Sequence, residues 1–183
     1  MKKLILGIAP VKRAMLPMEA ARAQKEELFP LIRTIKADHV EIVDIDDLCE
    51  NGIAFTLDKV PAIVERFRNR GVDALFLPFC DFGEESVAAG IASQLKVPTL
   101  VWGPRDTVPN TAAQRGRDTQ CGIIAATKVL SRCGVKFSYI TSCPTESEQF
   151  RRGYTTFLRA AMVVKVMNGS GRFPIWATRR FFM

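Results

Sequence analysis

Histidine is almost missing from this sequence: the single imidazole is His39. Nucleophilic mechanisms of the Ser/His/Asp or Cys/His kind therefore lack a candidate base near the expected site. His39 stands before the second predicted strand, at the sheet end opposite the ligand-facing loops, and we read it as a surface residue. A metal site would have to be built from carboxylates alone. Asp81, Glu84 and Glu85 lie close together, but Glu84 and Glu85 equally suit the first turn of a helix, where the dipole favours acidic side chains; the second reading is preferred.

Phosphate cradles are missing too. There is no G-x-G-x-x-G and no G-x-x-x-x-G-K-[ST], so dinucleotide and P-loop nucleotide binding have no motif behind them. Flavin mononucleotide asks only for a polar loop after the first strand and is not excluded, although Ala9–Pro17 is poor in the Ser, Thr and Gly that wrap a phosphate. No window approaches the ~20 apolar residues of a membrane span. The opening Met1-Lys2-Lys3-Leu4-Ile5-Leu6-Gly7-Ile8 has too short an apolar run before Pro10, Lys12 and Arg13 for a secretory signal, which needs roughly 7–15. Leu4–Ile8 makes a better buried strand. No internal repeat of the solenoid kind is present.

The 5 cysteines (Cys49, Cys80, Cys121, Cys133, Cys143) are scattered, odd in number and without a C-x-x-C pair. Most of them read as reduced core thiols of a cytoplasmic protein, with Cys80 and Cys121 in loop or helix-start positions where a reactive thiol is conceivable. The Asn168-Gly169-Ser170 sequon carries no weight in that compartment.

What the chain does hold is ordinary core material: 183 residues, 48% hydrophobic, enough for one domain. Its net charge of +7 is unevenly placed. Of 26 Lys and Arg, seven (Arg151, Arg152, Arg159, Lys165, Arg172, Arg179, Arg180) follow residue 150 with no acidic residue among them, so residues 1–150 hold nineteen basic against nineteen acidic. Such a tail suits phosphate or nucleic acid; the preferred reading is a face that meets an acidic partner surface or solvent.

Strands and helices alternate. The pattern predicts strands at Leu4–Ile8, Val40–Ile45, Ala74–Leu77, Thr99–Trp102 and Phe137–Thr141. Between them it predicts helices at Pro17–Ile35, from an N-cap at Thr56 to Gly71, at Glu84–Leu95, and from an N-cap at Asp118 to Gly134; a long last helix runs over Thr145–Met167. Five β-α units imply an α/β, flavodoxin-like, doubly wound five-stranded parallel sheet with helices on both faces. Ligands of such folds bind beyond the carboxyl ends of the strands, which directs attention to Ala9–Arg13, Phe79–Glu85, Gly103–Arg117 and Ser142–Glu146. Within them, Arg117-Asp118-Thr119-Gln120-Cys121 is the most unusual stretch. Either Arg117 and the free N–H groups of a helix start hold an anion, or Asp118 caps the helix and Arg117 pairs with a carboxylate.

Leu6-Gly7-Ile8-Ala9-Pro10, Phe79-Cys80-Asp81-Phe82-Gly83-Glu84-Glu85, Val101-Trp102-Gly103 and Arg117–Cys121, in this order and spacing, resemble the N-terminal domain of the L-fucose/L-arabinose isomerase-like family over nearly the whole chain. The resemblance implies an aldose–ketose isomerase that works through an enediol with a divalent metal, usually Mn2+. It also implies that the metal ligands sit in later domains, so that this chain has no catalytic or metal residue and no cofactor of its own. The N-terminal domain is then expected to cover the sugar site of a neighbouring subunit in a homo-oligomer. Asn168–Ile175 resembles the lead into the family's second domain. Residues 1–167 would be the recognition and assembly domain and 168–183 the start of a truncated second one, whose absence would bare Trp176, Phe181 and Phe182. Two departures stand out: an arginine is expected where Ala9 stands and a tryptophan where Cys80 stands, which favours a divergent member over an L-fucose enzyme. The substrate-binding candidates are Lys12, Arg13, Phe79, Cys80, Asp81, Arg105 and Arg117. A free-standing sugar or phosphosugar binding module is the alternative.

Overall fold

The computed structural model describes residues 3–106 and 117–169. Apolar runs form the strands: β1 (Leu4–Ile8), β2 (Val40–Val43), β3 (Ala74–Pro78), β4 (Thr99–Trp102) and β5 (Phe137–Tyr139). They lie in the order β2-β1-β3-β4-β5 and every pairing is parallel. This is the flavodoxin-like order. Between them run α1 (Met18–Ile35), α2 (Val60–Asn69), α3 (Glu85–Leu95) and α4 (Thr119–Arg132), and α5 (Glu148–Gly169) closes the described chain.

Period-two alternation divides the core into two layers. Leu4, Leu6 and Ile8, then Ala74 and Phe76, then Leu100 and Trp102 pack with Leu28, Ile32, Phe150 and Tyr154 of α1 and α5. The intervening Leu75, Leu77 and Val101 pack with Ile63, Phe67, Ile91, Ala126 and Leu130 of α2, α3 and α4. β1, β3 and β4 are thus covered on both faces, which is why their sequences read as continuous apolar runs.

Several expected boundaries shift. β2 ends at Val43 and β5 at Tyr139, each two residues early. Thr56 makes no side-chain cap; a 3-10 turn over Leu57–Lys59 leads into α2, with Pro61 in its first turn. α5 starts at Glu148, with Ser147 Oγ accepting the Phe150 N–H at 3.2 Å. Among the described residues no helix is long and apolar enough to cross a membrane. Trp176, Phe181, Phe182 and the tail residues Arg172, Arg179 and Arg180 lie outside the described residues, as does most of the Gly103–Arg117 loop.

Candidate functional site at the carboxyl ends of the strands

Pairing does not stop where β1 stops. Val11 bridges both Ala54 and Phe79 in parallel, with Val11 N–H donating to Pro78 O at 2.9 Å and Cys80 N–H to Val11 O at 2.9 Å. This stitches the first and third loops together and draws Lys12 inward. Lys12 is 2% exposed; its Nζ donates to Arg13 O at 2.6 Å and lies 4.9 Å from the centre of the Phe55 ring.

Asp81 anchors the next turn. Its Oδ1 accepts the N–H groups of Arg13 at 2.7 Å and Gly83 at 2.8 Å. Gly83 has φ +74°, and a side chain there would also strike the Phe79 ring. Oδ2 of Asp81 is buried without a hydrogen-bond partner among the described residues. Burial pushes this carboxyl above the ordinary carboxylate range, partly offset by the two N–H groups and by the charges of Lys12 and Arg13. The Arg13 guanidinium bonds Glu85 Oε2 at 2.6 Å and Glu84 Oε1 at 3.3 Å and lies over Phe82. Phe79 and Cys80 are buried; Cys80 packs with Ala21 and Ile53, and desolvation pushes its thiol up to about 12. At neutral pH it is an inert thiol.

A second polar group joins the fourth and fifth loops to α1. Pro104 bridges Cys143, and Arg105 N–H donates to Cys143 O at 3.1 Å while the Arg105 side chain is exposed. Arg117 donates to Gln24 Oε1, and Gln24 Nε2 donates to Thr145 Oγ1 at 2.9 Å, with Gln24 and Thr145 both buried. The expected carboxylate partner of Arg117 is therefore a carboxamide. The cap of α4 also moves: Asp118 occupies the N-cap position with φ 48° and makes no side-chain cap, while Asp106 accepts from Thr119 N–H at 3.0 Å and Gln120 N–H at 3.3 Å. An aspartate already fills the anion position at this helix start.

The structure thus gathers Lys12, Arg13 and Asp81 at one side of the strand-end surface and Arg105 and Arg117 at the other, with Phe79 and Cys80 buried beneath. Gln24, Asp106 and Thr145 were missed in the sequence. Gln24 had a signal, since it stands in the inward stripe of α1 between Ala21 and Leu28. His39 lies beside β2 at the amino end of the sheet, where its carbonyl accepts Leu4 N–H at 2.8 Å. Among the described residues no three His, Cys, Asp or Glu side chains are arranged to hold a metal, and the remaining residues contain none of these types. Glu84 and Glu85 are taken by Arg13. This donor set does not fit manganese.

A parallel doubly wound sheet in the 2-1-3-4-5 order, with a hydrogen-bonding rim at its carboxyl edge, defines the class: a flavodoxin-like α/β domain. Residues 7–168 match the family described as fucose/sulfoquinovose isomerase, N-terminal domain, and the chain belongs to that family. Among curated proteins none matches. One similar solved structure is an FMN-dependent NADH-azoreductase from Bacillus anthracis str. Ames Ancestor in complex with FMN, 11% identical, covering 89% of this chain and 99% of that chain at a TM-score of 0.32.

Proposed function

We propose that this chain is the recognition and assembly domain of an aldose–ketose isomerase-like protein of carbohydrate metabolism in the cytoplasm. In this reading residues 1–167 cover a sugar bound in a neighbouring subunit of a homo-oligomer, 168–183 lead onward, and Mn2+ and the proton-transferring groups belong to other domains. The observation that carries it is the rim itself. Arg105 is exposed, Arg117 is held by Gln24, and the half-buried Glu84 and Glu85 carboxylates stand beside Arg13, so hydroxyl groups find both donors and acceptors. Among the described residues no histidine stands beside them, His39 being at the other end of the sheet.

The chain alone should therefore leave L-fucose, L-arabinose and related aldoses unconverted with MnCl2 present, followed by NMR of the anomeric protons. Measurable ketose formation would sink this reading. Calorimetry separates it from a free-standing sugar or phosphosugar binding module: saturable binding to the isolated chain favours the module, whereas binding only in the presence of catalytic domains favours the covering role.

A further inference from the structure

The sheet has two edges, and they are built differently. At the β2 edge Glu41 lies in ion pairs with Arg70 at 3.0 Å and Lys3 at 3.9 Å, the charged finish that resists pairing with another chain. At the β5 edge Tyr139 is 63% exposed, and Ile124 on adjacent α4 is 64% exposed. Grooves open on both faces of this strand. One of about 490 Å³ runs along α4 and is lined by Ile123, Ile124, Thr127, Phe137 and Tyr139. One of about 590 Å³ runs along α5 and is lined by Ser138, Thr141, Glu148, Arg152 and Phe157, among others.

The main chain of β5 is equally open. Ile140 N–H donates inward to Val101 O at 3.1 Å. Because successive residues of a strand alternate in direction, Phe137 and Tyr139 turn their N–H and C=O groups to the free edge.

We propose that β5 is a self-association edge, at which two copies pair β5 antiparallel about a two-fold axis through Ser138 and merge their sheets. In this register Phe137 of one copy lies opposite Tyr139 of the other, so the outward main-chain groups of both strands meet as hydrogen-bonded pairs. Their side chains fall on the α4 face, and the second copy's Tyr139 enters the groove floored by Phe137 and Ile124. On the α5 face Lys136, at the start of β5, runs toward the end of the second copy's groove where Glu148 stands beside Arg152. Lys136 and Glu148 have no ion pair to another described residue, and the two-fold makes the contact twice.

Handedness argues for a second copy over the chain's own end. The β1–α1–β2 crossover passes through the α1/α5 layer toward the β2 side. A right-handed crossover from α5 in that same layer leads the same way, so a strand following α5 and lying outside β5 would need the rare left-handed connection.

Sedimentation equilibrium of the full chain, with exposed Cys121 and Cys133 replaced by Ser, should give the mass of two chains. Tyr139→Asp and Ile124→Lys should each return it to the mass of one chain with unchanged circular dichroism, since the core uses neither side chain. Ser138→Cys in the same background should cross-link two copies under mild oxidation, because a non-hydrogen-bonded antiparallel pair sets its Cα atoms about 4.5 Å apart. A single-chain mass at high concentration, a dimer indifferent to both substitutions, or no cross-link at position 138 would overturn the proposal. So would a chain that dimerises only after residues 170–183 are removed, which would give the edge to that segment. The dimer rests on the assembly half of the proposed function, and none of these outcomes touches sugar conversion or binding at the strand-end loops, so failure of the edge and failure of the sugar reading are distinguishable.

Discussion

Asp81 carries the structural weight of the strand-end rim. Removing its carboxyl strands the buried Gly83 N–H and the part-buried Arg13 N–H, and Asp81→Ala should cost about 2–4 kcal/mol in urea unfolding, while Asp81→Asn keeps the Oδ1 acceptor and recovers most of that. Its pH behaviour has a definite sign. Burial raises the folded carboxyl above its ordinary 3.8, so the folded state binds the extra proton. This group's contribution is then fully favourable below the unfolded value and falls as pH rises through the folded one. Asp47 behaves in the opposite sense: hydrogen bonding to Arg66 lowers it to about 2, so its contribution is present above 3.8 and is lost as pH falls toward 2. Unfolding midpoints across the acid range should show Asp47→Asn flattening the acid loss and Asp81→Asn gaining on the parent chain as pH rises. A further residue works against stability. Tyr154 buries its hydroxyl without a partner among the described residues, its ring 5.6 Å from Phe76 and 5.8 Å from Phe150. Tyr154→Phe should leave thermal stability equal or raise it by up to about 1 kcal/mol, because an unsatisfied buried hydroxyl is a cost.

Among the elements, α4 shows how a helix end is decided by distant groups. Asp106→Ala should destabilise by about 1 kcal/mol, the usual value of a lost cap, whereas Asp118→Ala should leave the N–H groups of Thr119 and Gln120 paired. The first turn of α4 also passes close to the third loop: a Cβ at Gly122 would sit 1.7 Å from Phe82 O. Gly122→Ala should therefore cost about 1–3 kcal/mol, read by chemical unfolding, because backbone must shift to admit one methyl group. Neither role was legible locally. Asp118 has the right type directly before an apolar helical stripe, while the true capping aspartate lies thirteen residues before Thr119 in sequence. The 3-10 turn before α2 and the early end of β5 escaped for a related reason: both depend on what pairs beside the segment, and their own residues fit a longer element equally well.

For the whole molecule, two-sided burial made the strands conspicuous, and the alternation of strand and helix led directly to the doubly wound parallel sheet that is observed. Adding MnCl2 should leave the melting temperature of this chain unchanged, since a ligand stabilises only where the folded state binds it and no donor set of three is assembled among the described residues. What the sequence by itself determined is the part that local periodicity and composition control: the element types and their order, the two-faced core, the scarcity of histidine and the family resemblance. Only the tertiary structure decided which polar groups meet. Lys12 and Asp81 are drawn inside by the extension of sheet pairing past β1, Arg117 finds Gln24 across 93 positions, and β5 is left as an edge with apolar faces. These are long-range outcomes of strand order and layer assignment, which place in contact residues that no local spacing relates.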